Sequence, residues 1–371
     1  MSRIKESDRD ANAPLLKENQ NGSIWPRWSG ELAIIAAAAI AYMNSFEGPF
    51  IFDDREILTN TYIRDLWPPW QAMFAPPNVS RPLVALSLAI NYAISGLDVW
   101  SYHVLNLMIH MLAGLALFGV VRRTLASSTL SQQYGPSSYA LALVVALVWT
   151  VHPLQTQSVT YIIQRGESLM GLFYLTTLYS AIRGSDSPRR RAWYAAAILS
   201  CAAGMLSKQV MITAPVVVLL YDRMFLSGSF KEALRRRWPL YAGLAATWGL
   251  LAATLLAMPP SETAGFGVKT ITPWAYFVSQ FSVIVHYLRL SLWPDALCLD
   301  YAWPEAKSAG EVIPYAVALL VLGGATLWAL WRRKPAGFLG AWFFLILSVT
   351  SSFVPLSDLA FEHRMYLPLA A

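Results

Sequence analysis

Charge is scarce in this chain. Only 13% of its 371 residues are Asp, Glu, Lys or Arg, against roughly 25% in an ordinary soluble domain. Hydrophobic residues make up 56% and mean hydropathy is +0.43, which excludes a soluble globular domain. Cysteine and histidine are also rare, at two and five. There is no HExxH, no Cys pair and no three-His cluster, hence no metal signature. Cys201 and Cys298 lie in apolar or membrane-adjacent stretches and read as buried free thiols rather than a disulfide. Walker loop, GxGxxG and nucleophile elbow are all missing. So are a cleavable signal peptide and a 34-residue repeat.

What remains is a polytopic all-α membrane protein. Fifteen Trp and seventeen Tyr suit membrane interfaces. The excess of basic residues, 28 against 22 acidic, needs no nucleic acid, because the positive-inside rule produces it. Residues 1–30 are polar and read as a disordered cytosolic tail. Apolar runs approach the roughly 20 residues needed to cross a bilayer at 31–49, 102–121, 138–152, 158–182, 192–206, 209–226, 238–257, 275–293, 312–331 and 337–354, about ten membrane segments. Basic clusters at 122–123, 183–191, 231–237 and 332–334 place those turns, and the N-terminus, in the cytosol. The run 275–293 conflicts with that pattern if it simply spans, and it carries Gln280, His286 and Arg289. It reads as re-entrant or as lying along the membrane, unless 258–293 conceals another crossing.

The opposite, outer face collects polar residues. A long first loop, 48–101, opens with "GPFIFDDREI" and holds the adjacent carboxylates Asp53 and Asp54, followed by Arg81. Its "LWPPWQAMF" at 66–74 is suited to a membrane surface. Other outer stretches carry His152 before Pro153, Arg165 and Glu167 early in an apolar helix, Lys208 between two spans, and Glu362, His363 and Arg364 beside an apolar end. Burying such groups costs several kcal/mol unless they are paired, so together they suggest one shared cavity. A carboxylate can take the proton of an attacking hydroxyl, and cations can hold a departing phosphate. Sugar transfer from a lipid phosphate needs both.

An ordered set of motifs runs from residue 51 to 370: "FIFDDREILTN", "SRPLVALSLAINYAISGLDVWSYHVLNLMIH", "VHPLQTQSVTYIIQRGESLMGLFYL", "SKQVMITAPVVVLLYDRMF", "HYLRLSLWPDALCLDY" and "EHRMYLPLA". In these the chain resembles the transmembrane and tetratricopeptide-repeat O-mannosyltransferases, membrane glycosyltransferases of the GT-C type, and their bacterial relatives. The resemblance implies a multi-span helical fold whose first outer loop holds the catalytic acidic motif, here Asp53 and Asp54. It implies a polyprenyl-phosphate sugar as donor substrate, Ser or Thr hydroxyls of proteins as acceptors, an inverting mechanism, and no cofactor or metal. Two departures stand out. The family's "SKE" is Lys208–Gln209 here, and no repeats follow, so the chain reads as a fragment ending at Ala371 inside an expected further helix.

Each candidate also has a plainer reading. Asp53 and Asp54 could be a solvated pair or a helix cap; Asp53 is the preferred base, with Asp54 the alternative. Arg81, Lys208 and Arg364 are the donor-phosphate candidates, yet Arg81 could snorkel and Arg364 could form a local ion pair with Glu362. His152 reads as a helix-end cap or cavity group, and Arg165 with Glu167 as a structural pair or cavity residues. A transporter or lipid flippase and a non-catalytic scaffold are the rival functions. The expected location is multi-pass, in a bacterial inner membrane ahead of an endoplasmic reticulum, with the site on the periplasmic or luminal face.

Overall fold

The computed structural model describes residues 28–371 apart from 77, 260 and 262. Most of the expected disordered tail lies outside the described residues. Among them the regular structure is helical, with one isolated β-bridge, Ala264 to Leu356. The main helices are α1 (Ser29–Tyr42), α2 (Pro82–Ser95), α3 (Trp100–Leu125), α4 (Ser138–Val151), α5 (Arg165–Asp186), α6 (Arg190–Met205), α7 (Ala214–Tyr221), α8 (Phe230–Ala257), α9 (Pro273–Leu292), α10 (Ala309–Trp331) and α11 (Pro335–Ser348).

Among the described residues, five helical segments are long and apolar enough to cross a membrane: Trp100–Leu125, Ser131–Val151, Gln209–Leu226, Phe230–Ala257 and Ala309–Trp331. They coincide with five of the ten expected spans. The others fall short for local reasons. The expected span 158–182 begins late, since Tyr161 is extended (φ −82°, ψ 109°), and α5, though 22 residues long, carries Arg165, Glu167, Arg183 and Asp186. The expected span 31–49 loses its last turn, since α1 ends at Tyr42.

Lipid exposure is plainest on α10, where only 11% of the apolar window is buried within the protein. Ile313, Val317, Leu320, Val321, Leu327 and Trp328 all face outward. An unpaired apolar face of that length is stable in hydrocarbon and costly in water. This is a membrane protein.

The central core joins α3, α5, α6, α7 and α11 around Tyr174, Cys201, Trp342 and Tyr366. Tyr366 is fully buried; its hydroxyl bonds His110 Nδ1 at 2.9 Å, and its carbonyl accepts from Trp149 at 3.1 Å and Gln155 at 3.3 Å. Glycine at 171 is required for this approach, since a Cβ there would lie 2.5 Å from the Tyr366 ring. Small residues let elements close in this way where lipid offers no hydrophobic drive between helices.

Three points go beyond the sequence reading or, for Cys298, against it. The loop 48–101 has its own regular structure, with short helices at Arg55–Thr59 and Pro69–Phe74 and then α2. Pro69 and Pro82 each occupy the first turn, where a missing N–H costs nothing. Cys298 is exposed, unlike buried Cys201, because it lies in the loop after α9 rather than in a helix. Finally, both halves of α9 are fastened to one end of the bundle. Tyr276 donates to the Thr350 carbonyl at 2.5 Å and Tyr287 to the Phe361 carbonyl at 2.9 Å. The following loop runs back along α9, with Trp303 donating to Ser282 and Ala306 to Ser279. This is the geometry of the re-entrant reading of 275–293. It returns "RRK" to the other end, where Arg333 lies 3.6 Å from the Cβ position of Gly228, beside the 231–237 basic cluster.

Candidate active site

Asp53 and Asp54 sit in a 3-10 turn, Phe52–Asp54, at the end of the bundle opposite the basic clusters. The turn opens with Phe52 in the left-handed region (φ 45°), a conformation costing a non-glycine residue about 1 kcal/mol. Asp54 offsets that cost. It is 1% exposed, and its two oxygens accept from the Ile51 amide at 3.1 Å and the Ile163 amide at 2.7 Å. Burial pushes its carboxyl up to about 6 against those amide bonds, so at neutral pH it is the ionised acceptor the turn needs. Replacing Asp54 by Asn turns an NH2 toward one of those amides. We expect a loss of about 1–3 kcal/mol, measured by thermal unfolding in detergent beside wild type.

Asp53 is placed differently. Its side chain is exposed and lines an open cleft of about 470 Å³ with Phe52, Arg55 and Glu56. Its backbone amide donates to the Tyr161 hydroxyl at 2.7 Å. Partial burial raises its carboxyl above the usual range, the Tyr161 hydroxyl and Arg81 oppose that, and Asp358 and Asp300 add to it. Burial likewise raises Glu56, one helical turn further on, with Arg81 opposing.

Lys208 and Glu167 form a buried ion pair, within electrostatic reach of Arg81 and Arg364. Removing one partner of such a pair strands a charge. Lys208→Met is expected to cost about 3–5 kcal/mol, and Glu167→Gln in the same chain to recover most of it; thermal unfolding of the four species in detergent gives the cycle. Arg165 is fully buried. It donates to Asn106 Oδ1 and Asn91 Oδ1 at 2.6 Å each, to Ser87 Oγ at 3.2 Å and to the Tyr102 carbonyl at 3.0 Å. Its guanidinium is occupied by neutral protein acceptors.

A family model for dolichyl-phosphate-mannose-protein mannosyltransferases matches residues 76–256. The chain is 30% identical to fly (Drosophila melanogaster) protein O-mannosyl-transferase Tmtc2 across 71% of its own length and 29% of that protein. It is 29% identical to human TMTC2 across 73% of its length and 35% of the relative, and 24% identical to human TMTC1 across 92% and 44%. The chain belongs to this O-mannosyltransferase family. It spans less than half the length of these relatives. No solved structure gives a significant match.

The O-mannosyltransferase fold brings the remaining candidates to the same end as Asp53. Glu362 accepts from the Cys298 amide and the Tyr301 hydroxyl, both at 2.8 Å, so its partners are not Arg364. His363 meets Gln157 Oε1 through its amide at 3.2 Å and Nδ1 at 3.1 Å. Arg364 donates to the carbonyls of Leu359 at 2.9 Å and Asp358 at 2.6 Å. His152 Nδ1 accepts from the Leu154 amide at 3.2 Å, the geometry of a cap. Sequence reasoning passed over Tyr161, Glu56, Asn91 and Asn106. Two asparagines inside apolar helices were a readable signal, because unpaired amides are costly there. Glu56 was readable too, one helical turn from Asp53. Nothing local marks Tyr161.

Proposed function

We propose that this chain transfers a mannose-like sugar from a polyprenyl phosphate to a hydroxyl, Ser or Thr of proteins, at the luminal or periplasmic face. The observation that carries the reading is the contrast within the acidic pair: Asp54 is committed to two amides, while Asp53 faces an open cleft. The Asp53 carboxylate takes the acceptor's hydroxyl proton. The oxygen then bonds to the sugar's anomeric carbon from the face opposite the phosphate, inverting the centre. The bond from that carbon to the phosphate oxygen breaks, and the polyprenyl phosphate leaves with the electron pair. Arg81 opposes its charge in this scheme, with Arg364 and Lys208 as further cations within electrostatic reach of one another. No cofactor or metal enters this scheme; the lipid-linked sugar is the substrate.

The test is transfer of label from radioactive polyprenyl-phosphate mannose to a pool of Ser- and Thr-containing peptides by the reconstituted full chain. Label on peptide is expected. Absence of transfer together with absence of donor binding rejects the reading. Because the base must be ionised, rate rises with pH through the Asp53 titration, and burial sets that limb above the ordinary carboxylate range.

A further inference from the structure

Tyr161 lies 108 residues from Asp53 in sequence and in contact with it in space. It is 3% exposed, between the short helix Thr156–Thr160 and the turn Ile162–Gln164. Its backbone is held on both sides. Asn106 Nδ2 donates to the carbonyls of Val159 at 3.1 Å and Ile162 at 3.5 Å, and the Ile163 amide binds Asp54. The ring has little freedom to move. Its hydroxyl accepts from the Asp53 amide at 2.7 Å, which leaves the phenol its own proton to give, with the Asp53 carboxyl within electrostatic reach. A phenol has one proton to give and two lone pairs, so it can accept from the amide and donate to the carboxylate at once.

We propose that Tyr161 is the positioning residue for Asp53, fixing the direction of the carboxylate by donating its hydroxyl proton to it while accepting from the amide of the same residue. The role assumes that Asp53 is the base of the reaction proposed above. An exposed Asp side chain on a surface turn samples several rotamers, and only one presents an oxygen to the acceptor. Five charged groups also act on Asp53 or are acted on by it: Asp54 beside it, Glu56 one turn on, Arg81 at the start of α2, and Asp300 and Asp358 from the C-terminal part. Four are acidic and favour the protonated form. Arg81 and the Tyr161 hydroxyl favour the carboxylate.

Removing the hydroxyl removes one of those two supports, so the Asp53 titration moves up. In Tyr161→Phe the acid limb of kcat/KM is expected to shift to higher pH by about one unit. kcat falls about tenfold, and KM for the donor holds. Incorporating 3-fluorotyrosine at 161, which makes the hydroxyl a stronger donor at nearly unchanged volume, is expected to move the limb the other way. An activity-independent reading comes from infrared titration of the carboxyl band that Asp53→Asn deletes, in the detergent-solubilised full chain. An upward shift of that band in Tyr161→Phe supports the positioning role even where no transfer is detected, and the failure then belongs to the transferase reading. If Asp53→Asn abolishes transfer while Tyr161→Phe and the fluorinated chain leave both limb and band unmoved, the positioning role is overturned. Loss of thermal stability in Tyr161→Phe with an unmoved band overturns it equally, leaving Tyr161 as packing.

Discussion

Asp53→Asn is expected to lower sugar transfer by about 10²–10⁴-fold, the range for loss of a general base, with donor binding and thermal stability close to wild type. The asymmetry within the acidic pair gives the reason. Asn at 53 retains an oxygen that can accept from the Tyr161 hydroxyl, and the amide that bonds Tyr161 belongs to the backbone. The turn therefore keeps its shape while the proton acceptor is gone. Asp54 is the opposite case, with two amides depending on its oxygens. Transfer by Asp53→Asn within threefold of wild type, together with collapse of transfer in Glu56→Gln, would assign the base to the other carboxylate on the same cleft.

The largest effect on the fold is expected at Arg165. Arg165→Met leaves the acceptors of Asn91, Asn106, Ser87 and Tyr102 without their donor inside the protein, at a cost of about 1–3 kcal/mol for each one left unsatisfied. The damage should reach the cleft. Asn106 also holds the carbonyls of Val159 and Ile162, and that segment carries Tyr161 and Ile163, which grip Asp53 and Asp54. Arg165→Lys should rescue little, because an ammonium cannot spread its donors over four acceptors in a plane. Thermal unfolding in detergent, followed by transfer at a temperature where the variant is folded, separates stability from site geometry. A variant with wild-type melting would remove the network from this account.

Membrane class, helical fold and the acidic turn were legible in the sequence because they depend on composition and local order. A chain this short of charge cannot be stable as a soluble domain, and its basic clusters fall between apolar runs. The division of labour between Asp53 and Asp54 was not legible. Both are carboxylates in one turn, and their difference comes from Ile163 and Tyr161, more than a hundred residues away. Arg165 read equally well as a cavity residue or a structural one; four acceptors from α2 and α3 decided for the second. The passage through 275–293 was undecidable from hydropathy, because the partners of Tyr276 and Tyr287 lie 74 residues further on. Sequence by itself determined which solvent this chain needs and which groups it must hide, since transfer energies belong to residues. Tertiary structure alone decided which hidden groups hold the site and which face the cleft, since a hydrogen bond belongs to two atoms that the chain has to bring together.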